Sequence, residues 1–379
     1  MILLIPTIIL LLIYSILIYY YRLVWKKIPV FIKPDEAIPK TNISVIIPAR
    51  NEENNIAACL DSLAAQNYPR ELREIIVVDD HSTDGTAGIV SRYRDSGIIL
   101  LDLEKELADS LQSSGSKKAA ISVAIKKSTG TLIITTDADC VFPVKWLSTL
   151  VSFYETYDPV FIAAPVKFSK EKKALHVFQS LDFLSLQGIT SASVYDGFHT
   201  MCNGANLAYK KEAFDAVDGF AGIDQIASGD DMLLMHKIYT LNPKKVMYCL
   251  SPDAIVETKP AENMITFFYQ RIRWASKALV YHDKRIFYVL MLVYLLNAFL
   301  LTFLIYSLIT THLLIASIIL ILVKTMVELA FLFPVARFYK KTALLFYFLP
   351  AQPFHILYTV IAGFLGQAGT YEWKGRKLK

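Results

Sequence analysis

The chain has 379 residues and a formal charge of +5, and 54% of it is hydrophobic, with a mean hydropathy of +0.40. That is too apolar for an ordinary soluble protein and points to membrane segments; the modest charge, with basic residues clustered beside apolar runs, favours an anionic bilayer surface over nucleic acid as a partner. Four scattered cysteines, Cys59, Cys140, Cys202 and Cys249, lack C-x-x-C spacing, which argues against a zinc site or disulfide framework and for a reducing compartment.

Residues Ile2 to Tyr21 are almost wholly apolar. About 20 helical residues at roughly 1.5 Å each just cross a hydrocarbon core. A cleaved signal peptide would carry a basic leading region and a small-x-small site after a shorter run, so residues 1–24 read as a retained anchor. Arg22, Lys26, Lys27, Lys33 and Lys40 follow it. By the positive-inside tendency, the next segment is expected on the cytoplasmic side of a plasma (inner) membrane.

From residue 40 to about 258 the long apolar runs stop, and short β-type runs alternate with helical patterns, the rhythm of a mostly parallel α/β sheet. Ile43–Ile47 is the first strand, followed by the turn Pro48-Ala49-Arg50-Asn51-Glu52-Glu53. The helix from Asn54 to Ala65 shows Ile56, Leu60 and Leu63 on one face. A second strand, Glu74–Val78, runs into Asp79-Asp80-His81-Ser82-Thr83-Asp84-Gly85-Thr86, and Ala87 to Arg94 reads as a helix. Ligands of open α/β sheets bind beyond the carboxyl ends of the strands, where these polar residues collect. Neither G-x-G-x-x-G nor G-x-x-x-x-G-K-[ST] occurs, so the usual dinucleotide fingerprint and the P-loop are disfavoured. Asp79 or Asp80 can instead accept a hydrogen bond from a base imide or a ribose hydroxyl, or simply form the turn.

Ile98–Leu101 is a third strand, and the polar region Glu104 to Ser116 reads as a loop or loose helix. Gly115-Ser116-Lys117-Lys118 opens a helix to about Ser128, a junction at which Lys117 or Lys118 can approach a diphosphate. Leu132 to Cys140 reads LIITTDADC, a buried-type strand ending in carboxylates. In an extended segment Asp137 and Asp139 leave the same face and can converge on one ligand, for which Mg2+ or Mn2+ with substrate phosphates is the natural candidate; the alternative is a pair of solvated turn carboxylates. Val160 to Val166 is expected to be a further strand. Asn203, Gly204 and Asn206 lie in a small-residue cluster that lets a sugar or acceptor approach the backbone. In Ser228-Gly229-Asp230-Asp231 the acids either cap the helix that follows or supply a general base.

Residues 259–285 mix aromatic and basic side chains, as in an amphipathic helix lying at a bilayer interface. Gln270, Arg273 and Trp274 share one helical face there. In the membrane region 286–368, Phe287 to Ile309 and Leu313 to Phe333 form an expected helical hairpin split by Thr310-Thr311-His312. Lys324 and Glu328 lie one turn apart within it, placed to pair or to face another helix. Leu344 to Gly366 carries Pro350 and Pro353 and either spans or re-enters; residues 369–379 form a basic tail.

Five of these motifs occur in one order: PARNEE at Pro48–Glu53, VVDDHSTDGT at Val77–Thr86, TDAD at Thr136–Asp139, GDD at Gly229–Asp231 and QRIRW at Gln270–Trp274. Each alone is permissive, but together, over about residues 40 to 285, the chain resembles a membrane-integrated family 2 glycosyltransferase with a GT-A fold. It is most similar to the ceramide-glucosyltransferase-like, lipid-directed members, and less close to processive cellulose, chitin or hyaluronan synthases. The resemblance implies that Glu52 and Asp79 or Asp80 contact the uridine of a UDP-sugar, and that Lys117 or Lys118 lies near its diphosphate. It implies that Asp137 and Asp139 bind the metal, and that Asp231 is the catalytic base. The family usually has Glu-Asp where this chain has Asp230-Asp231. By the same likeness Arg273 reaches the pyrophosphate, and Trp274, with Gln270 beside it, meets the acceptor. The implied reaction is a single inverting transfer to a membrane lipid; a processive synthase and an inactive scaffold are the competing readings, the first disfavoured because only three or four apolar segments are present. The sugar, the acceptor, the choice of metal and the oligomeric state are not legible in these residues.

Overall fold

The computed structural model describes residues 3–35, 38–107, 116–169, 171–226, 229–368, 371–373 and 376–378. Gly115, Ser228, Lys374, Gly375 and most of the polar stretch before Ser116 lie outside them. Helix α1 (Leu4–Lys27) opens the chain, followed by β1 (Ile43–Ala49), α2 (Ile56–Ala64), β2 (Arg73–Asp79), α3 (Thr86–Ser91), β3 (Ile98–Asp102), α4 (Leu103–Leu107) and α5 (Lys117–Lys127). Next come β4 (Leu132–Thr135), α6 (Trp146–Tyr157), β5 (Phe161–Ala163), β6 (Val166–Phe168) and the long α7 (Ala174–Asp196). Strand β7 (Leu207–Lys210), α8 (Lys211–Ala216), α9 (Asp230–Leu241), β8 (Val246–Tyr248) and β9 (Val256–Thr258) follow. Helices α10 (Met264–Ala275), α11 (Lys284–Ile309), α12 (Leu314–Phe338) and α13 (Phe348–Ala368) precede a short antiparallel pair, β10 (Tyr371–Trp373) and β11 (Arg376–Leu378), in the stretch expected to be a plain basic tail.

Two compact units result, one of Pro29–Ser169 with Thr200–Lys259, the other of Met1–Ile28, Lys170–His199 and Pro260–Lys379. In the first, a sheet of seven strands among the described residues has the order β3-β2-β1-β4-β7-β5-β8. Strands β3, β2, β1 and β4 are mutually parallel, β7 runs antiparallel between β4 and β5, and β5 pairs parallel with β8. Val45, Ile46, Ile47, Val77, Val78, Ile133 and Ile134 are all essentially inaccessible. This is why these strands read as unbroken apolar runs: helices cover both faces of such a sheet, and each buried aliphatic side chain contributes on the order of 1.5–3 kcal/mol. Ile56, Cys59, Leu60 and Leu63 form the buried face of α2.

Register gathers the polar strand ends. Ala49 pairs with Asp79, and Asp79 with Asp102, so the carboxyl ends of β1, β2 and β3 lie level. Thr135 at the end of β4 pairs with Leu207 at the start of antiparallel β7, so the chain entering β7 arrives where the chain leaving β4 departs. Thr136 Oγ1 donates to the Ala205 carbonyl at 2.7 Å across this junction. The single strand expected over Val160–Val166 is instead two, because the chain leaves the main sheet at Ala164-Pro165 and β6 pairs with β9 in a separate ribbon. Proline at that point supplies no N–H to the ladder.

The second unit holds α1, α7 and α10 to α13. Among the described residues four helical stretches are long and apolar enough to cross a membrane: Leu4–Lys27, Lys284–Ile309, Thr311–Phe338 and Thr342–Gln367. Lys324 and Glu328 pair at 2.7 Å, and both also face other helices. Lys324 Nζ donates to Gln352 at 2.9 Å, while Tyr14 and Gln352 donate to Glu328 at 2.6 and 2.7 Å. Each charge thus carries hydrogen bonds as well as its counter-ion, the condition under which buried ionic groups are tolerated.

Helix α10 is expected from its sequence to lie in a bilayer surface with its apolar face in lipid. Phe267 and Ile272 are covered by Phe178, Tyr358 and Ala362 of α7 and α13, while Met264, Ile265 and Tyr269 remain 42%, 70% and 43% exposed.

Candidate active site

The loops after β1 and β2 are laced to each other. Asn51 N donates to Ser82 Oγ at 3.0 Å, Thr83 N to Asn51 Oδ1 at 2.8 Å, Glu52 N to Thr86 Oγ1 at 2.8 Å and Gly85 N to Glu53 Oε2 at 2.9 Å. Most polar residues of these two motifs therefore build the loop pair itself, the outcome expected of Asn, Asp and Ser at turns. Asp79 accepts from Ser82 N at 3.2 Å and stays half-exposed. Asp80 is 4% exposed, with His81 Nδ1 at 2.9 Å from its carboxylate and the Arg50 guanidinium donating to its carbonyl at 2.9 Å. Glu52 is half-exposed and accepts from Asn55 Nδ2 at 2.7 Å; Lys259 Nζ in turn donates to Asn55 Oδ1 at 2.6 Å.

Beyond β4 the strand geometry stops at Thr135, and Asp137-Ala138-Asp139 forms a turn closed by Cys140 N donating to the Asp137 carbonyl at 3.2 Å. The expected extended alternation is absent, and the two carboxylates have separate partners. Asp137 Oδ1 lies 2.6 Å from Lys117 Nζ. Asp139 Oδ2 accepts from Thr258 Oγ1 at 3.1 Å, a neighbour contributed from the end of β9.

Lys117 begins α5, whose N-cap Ser116 accepts from Ala119 N at 3.2 Å. Its ammonium also stands 3.6 Å from Asp230 Oδ2. Burial pulls the Lys117 ammonium down, but Asp137 and Asp230 more than reverse this and hold it above the ordinary lysine value. Lys118 does not share this position. Its Nζ turns the other way and donates to the Ile223 carbonyl, and to that of Ile226 at 2.7 Å, in a buried setting. Successive residues of a helix point about 100° apart, so one of the two lysines is committed to the core.

Gly229 has φ +79°, a left-handed conformation that turns the chain into α9 and places Asp230 and Asp231 in its first turn, where the helix dipole favours anions. Asp231 Oδ1 accepts from Met232 N and Oδ2 from Gly204 N, both at 2.8 Å. Burial, then the neighbouring Asp230 carboxylate, push the Asp231 carboxyl up to about 6, against the opposing pull of Lys117 and the two N–H donors. A carboxyl of that strength is ionised at neutral pH yet holds a proton more readily than an exposed aspartate, the property a general base needs.

The cluster Asn203–Asn206 divides by role. Gly204 places an N–H on Asp231, and an added Cβ there would meet Lys117 Nζ at 3.1 Å. Asn203 Oδ1 accepts from Ala205 N at 2.9 Å. Asn206, expected at an acceptor, is fully buried and saturated: it accepts from Trp146 Nε1 at 3.0 Å and donates to the Pro165 and Ala254 carbonyls at 2.8 Å each. It fastens α6, the loop before β6 and the loop before β9 to the start of β7, and with both N–H groups used and no exposed surface it is out of reach of a sugar.

In the other unit, Gln270, Arg273 and Trp274 lie on α10 as expected. The cation that stacks on Trp274 is Arg271, whose guanidinium lies 4.3 Å from that ring centroid and 4.9 Å from Phe267. Arg271 also lies 2.7 Å from Asp182 and donates to Gln270 Oε1 at 3.1 Å. Tyr358 donates to Asp182 at 2.5 Å. The i+4 and i−3 spacing of Arg271 to Phe267 and Trp274 was readable in the sequence, but Asp182, on α7, had no local signal.

Among the described residues no group of three or more His, Cys, Asp or Glu side chains could hold a metal ion. The pair Asp137 and Asp139 nevertheless suits Mg2+ or Mn2+, since both are hard oxygen donors and such ions are commonly held by one or two carboxylates with substrate phosphates completing the shell. The four cysteines are buried and unbridged, and burial pushes their thiols up, which removes them as nucleophiles.

Comparison with known proteins gives a consistent pattern. The sequence profile described as Glycosyl transferase family 2 matches residues 44–218, and that described as Glycosyl transferase family group 2 matches residues 132–365. The beta-monoglucosyldiacylglycerol synthase of Synechocystis sp. is 26% identical over 247 residues, 63% of this chain and 48% of that protein. Glycosyltransferase AglE of Haloferax volcanii is 31% identical over 159 residues, 42% of this chain and 45% of its own. The chain thus spans about half the length of these relatives. In fold it is similar to the mannosyltransferase PcManGT from Pyrobaculum calidifontis, solved in complex with GDP-Man and Mn2+, with a TM-score of 0.57 at 20% identity over 97% of this chain and 98% of that one.

Proposed function

The chain belongs to glycosyltransferase family 2, and we propose that it is an inverting enzyme that transfers one sugar from a UDP-sugar to a membrane lipid, with its sheet-containing unit on the cytoplasmic face of the plasma (inner) membrane. One observation carries this reading: Lys117 joins Asp137 to Asp230 while Gly204 holds Asp231, so acids from two distant segments meet at the ends of the central strands, tied together by groups from two further segments. The lipid acceptor is supported by the four apolar helices and by a relative that is named as a glucosyldiacylglycerol synthase.

In this mechanism Asp231 accepts the proton of the acceptor hydroxyl as its oxygen attacks the anomeric carbon and the nucleoside diphosphate departs. The Gly204 and Met232 N–H groups fix the orientation of the base and leave it ionised near neutrality. Lys117 supplies a positive charge toward the departing diphosphate, and Arg273 is assigned the same task from α10. Asp137 and Asp139 would hold Mg2+ or Mn2+, which when bound supplies further charge stabilisation to the leaving group. Glu52 with the half-exposed Asp79, or with Asp80, is assigned to the uridine, and Asn203, Gly204, Gln270 and Trp274 to the acceptor side.

The test is to incubate the detergent-solubilised protein and Mn2+ with a panel of UDP- and GDP-sugars and a total lipid extract, followed by mass spectrometry. A glycolipid heavier by one hexose or N-acetylhexosamine is the expected product. A polymer ladder would establish the processive alternative, and neither transfer nor donor hydrolysis with any sugar would overturn the assignment.

A further inference from the structure

We propose that Lys117 is a displaceable internal counter-ion of the metal site, so that a divalent cation and a nucleoside diphosphate bind to this protein only as a coupled pair. The inference rests on the functional reading above and concerns how its site is loaded.

The ammonium of Lys117 lies 2.6 Å from Asp137 Oδ1, the distance of a direct charge-assisted contact, and 3.6 Å from Asp230 Oδ2. A divalent ion on the same Asp137 oxygen would stand within about 4 Å of that ammonium, a separation at which like charges repel strongly even at an effective dielectric of about 20. Lys117 and the metal are therefore competitors for Asp137. The competition is built into the fold rather than left to a mobile surface chain. Ser116 caps α5 and fixes Lys117 as its first residue. Gly204 packs against the ammonium so closely that even a Cβ there would lie 3.1 Å from Nζ. Lys118 is tied to carbonyls on the opposite side and cannot take over.

With no anion present, Lys117 neutralises Asp137 and also moderates the crowding of Asp137, Asp230 and Asp231, which would otherwise repel one another. Placing a cation in the first turn of a helix is unfavourable by itself, so these acids are what retain it. An incoming diphosphate changes the balance. It offers Lys117 a stronger anionic partner, and its oxygens complete the shell of a metal for which the protein supplies only two carboxylates. Each ligand then raises the affinity of the other, as reciprocity of coupling requires. The arrangement also disfavours occupation of the site by free metal that would block the base cluster before the donor arrives.

The experiment measures free Mn2+ by electron paramagnetic resonance during titration of the detergent-solubilised full chain, with and without UDP, and with GDP as a second probe. For the unaltered protein, nucleotide is expected to tighten Mn2+ binding at least tenfold. Lys117→Met is expected to bind Mn2+ alone at least tenfold more tightly than the unaltered protein, and nucleotide should then tighten binding by a smaller factor than in the unaltered protein, since only the direct metal–diphosphate contact remains. Lys117→Arg keeps the charge and should behave like the parent in the metal-only titration. A thermal melt of each variant checks that it is folded, and Asp137→Asn should abolish the metal binding gained in Lys117→Met. The inference is overturned if Lys117→Met binds Mn2+ no more tightly than the parent, or if the parent binds Mn2+ equally well with and without nucleotide. Absence of Mn2+ binding in every sample would sink it together with the metal assignment. Normal coupling in a protein that transfers no sugar would leave it standing while the proposed activity fell.

Discussion

The backbone N–H of Gly204 donates to the Asp231 carboxylate at 2.8 Å, so the segment that leads into β7 orients an acid on α9 that lies 27 residues further along the chain. A methyl group at Gly204 would sit 3.1 Å from Lys117 Nζ and 3.4 Å from Asp231 Oδ2. Both atoms terminate flexible side chains and can give way, so Gly204→Ala is expected to fold normally, within about 1 kcal/mol of the parent. Sugar transfer should nevertheless fall by roughly tenfold to a hundredfold, because misplacing a general base by a fraction of an ångström is costly. Turnover measured beside a melting curve checks both halves; a large loss of stability would contradict the first.

Asp231→Asn is expected to lower turnover by roughly a hundredfold or more, the usual worth of a general base. In the unaltered protein kcat/KM should drop as pH falls through about 6, where Asp231 takes up a proton. Stability should respond with the opposite sign. The folded-state value lies above that of an exposed aspartate, so ionisation is disfavoured in the folded chain, a cost present above about pH 6 and gone below pH 4. The stability of the parent relative to Asp231→Asn should therefore improve between melts recorded at pH 7.5 and at pH 4, whatever constant offset the lost N–H contact adds. An equal difference at both values would refute the assigned cause.

Asn206 separates a structural from a ligand-binding role. Its side chain serves Trp146, Pro165 and Ala254 while fully buried. Asn206→Ala strands one N–H and two carbonyls at about 1–3 kcal/mol for each group left unsatisfied. The expected result is a marked fall in melting temperature and in yield of folded protein, whereas a stable variant with only a raised KM for acceptor would return this residue to the binding surface.

Arg271 and Asp182 form a buried pair 2.7 Å apart, each below 10% side-chain exposure. Removing one partner leaves the other charged and buried, at about 3–5 kcal/mol. Arg271→Ala and Asp182→Ala should each destabilise the protein strongly. The double variant should be less damaged than the sum of the two, by about 1–3 kcal/mol in a melting or denaturant cycle. Additive losses would show that the residues act independently.

The sequence by itself determined the parts whose physics is local. Apolar stretches of 20 residues or more marked the candidate membrane helices, unbroken β-branched runs marked β1, β2 and β4, and the order of five motifs marked the family. Boundaries followed where punctuation was strong, as at Ile98, where β3 begins both in the sequence and in the fold. Single residues inside a motif were another matter. Lys117 and Lys118 are indistinguishable as letters; only the direction of α5 against the sheet sends one to Asp137 and the other to the Ile223 carbonyl. Asn203 and Asn206 look alike until the antiparallel course of β7 buries the second. The same topology, unreadable in the four residues Leu207–Lys210, carries Gly204 to Asp231 and so decides which acid is held for chemistry. Periodicity and composition report what each segment does with its own backbone and its nearest neighbours, whereas these assignments depend on contacts between segments 20 to 120 residues apart, which exist only once the sheet has fixed their directions.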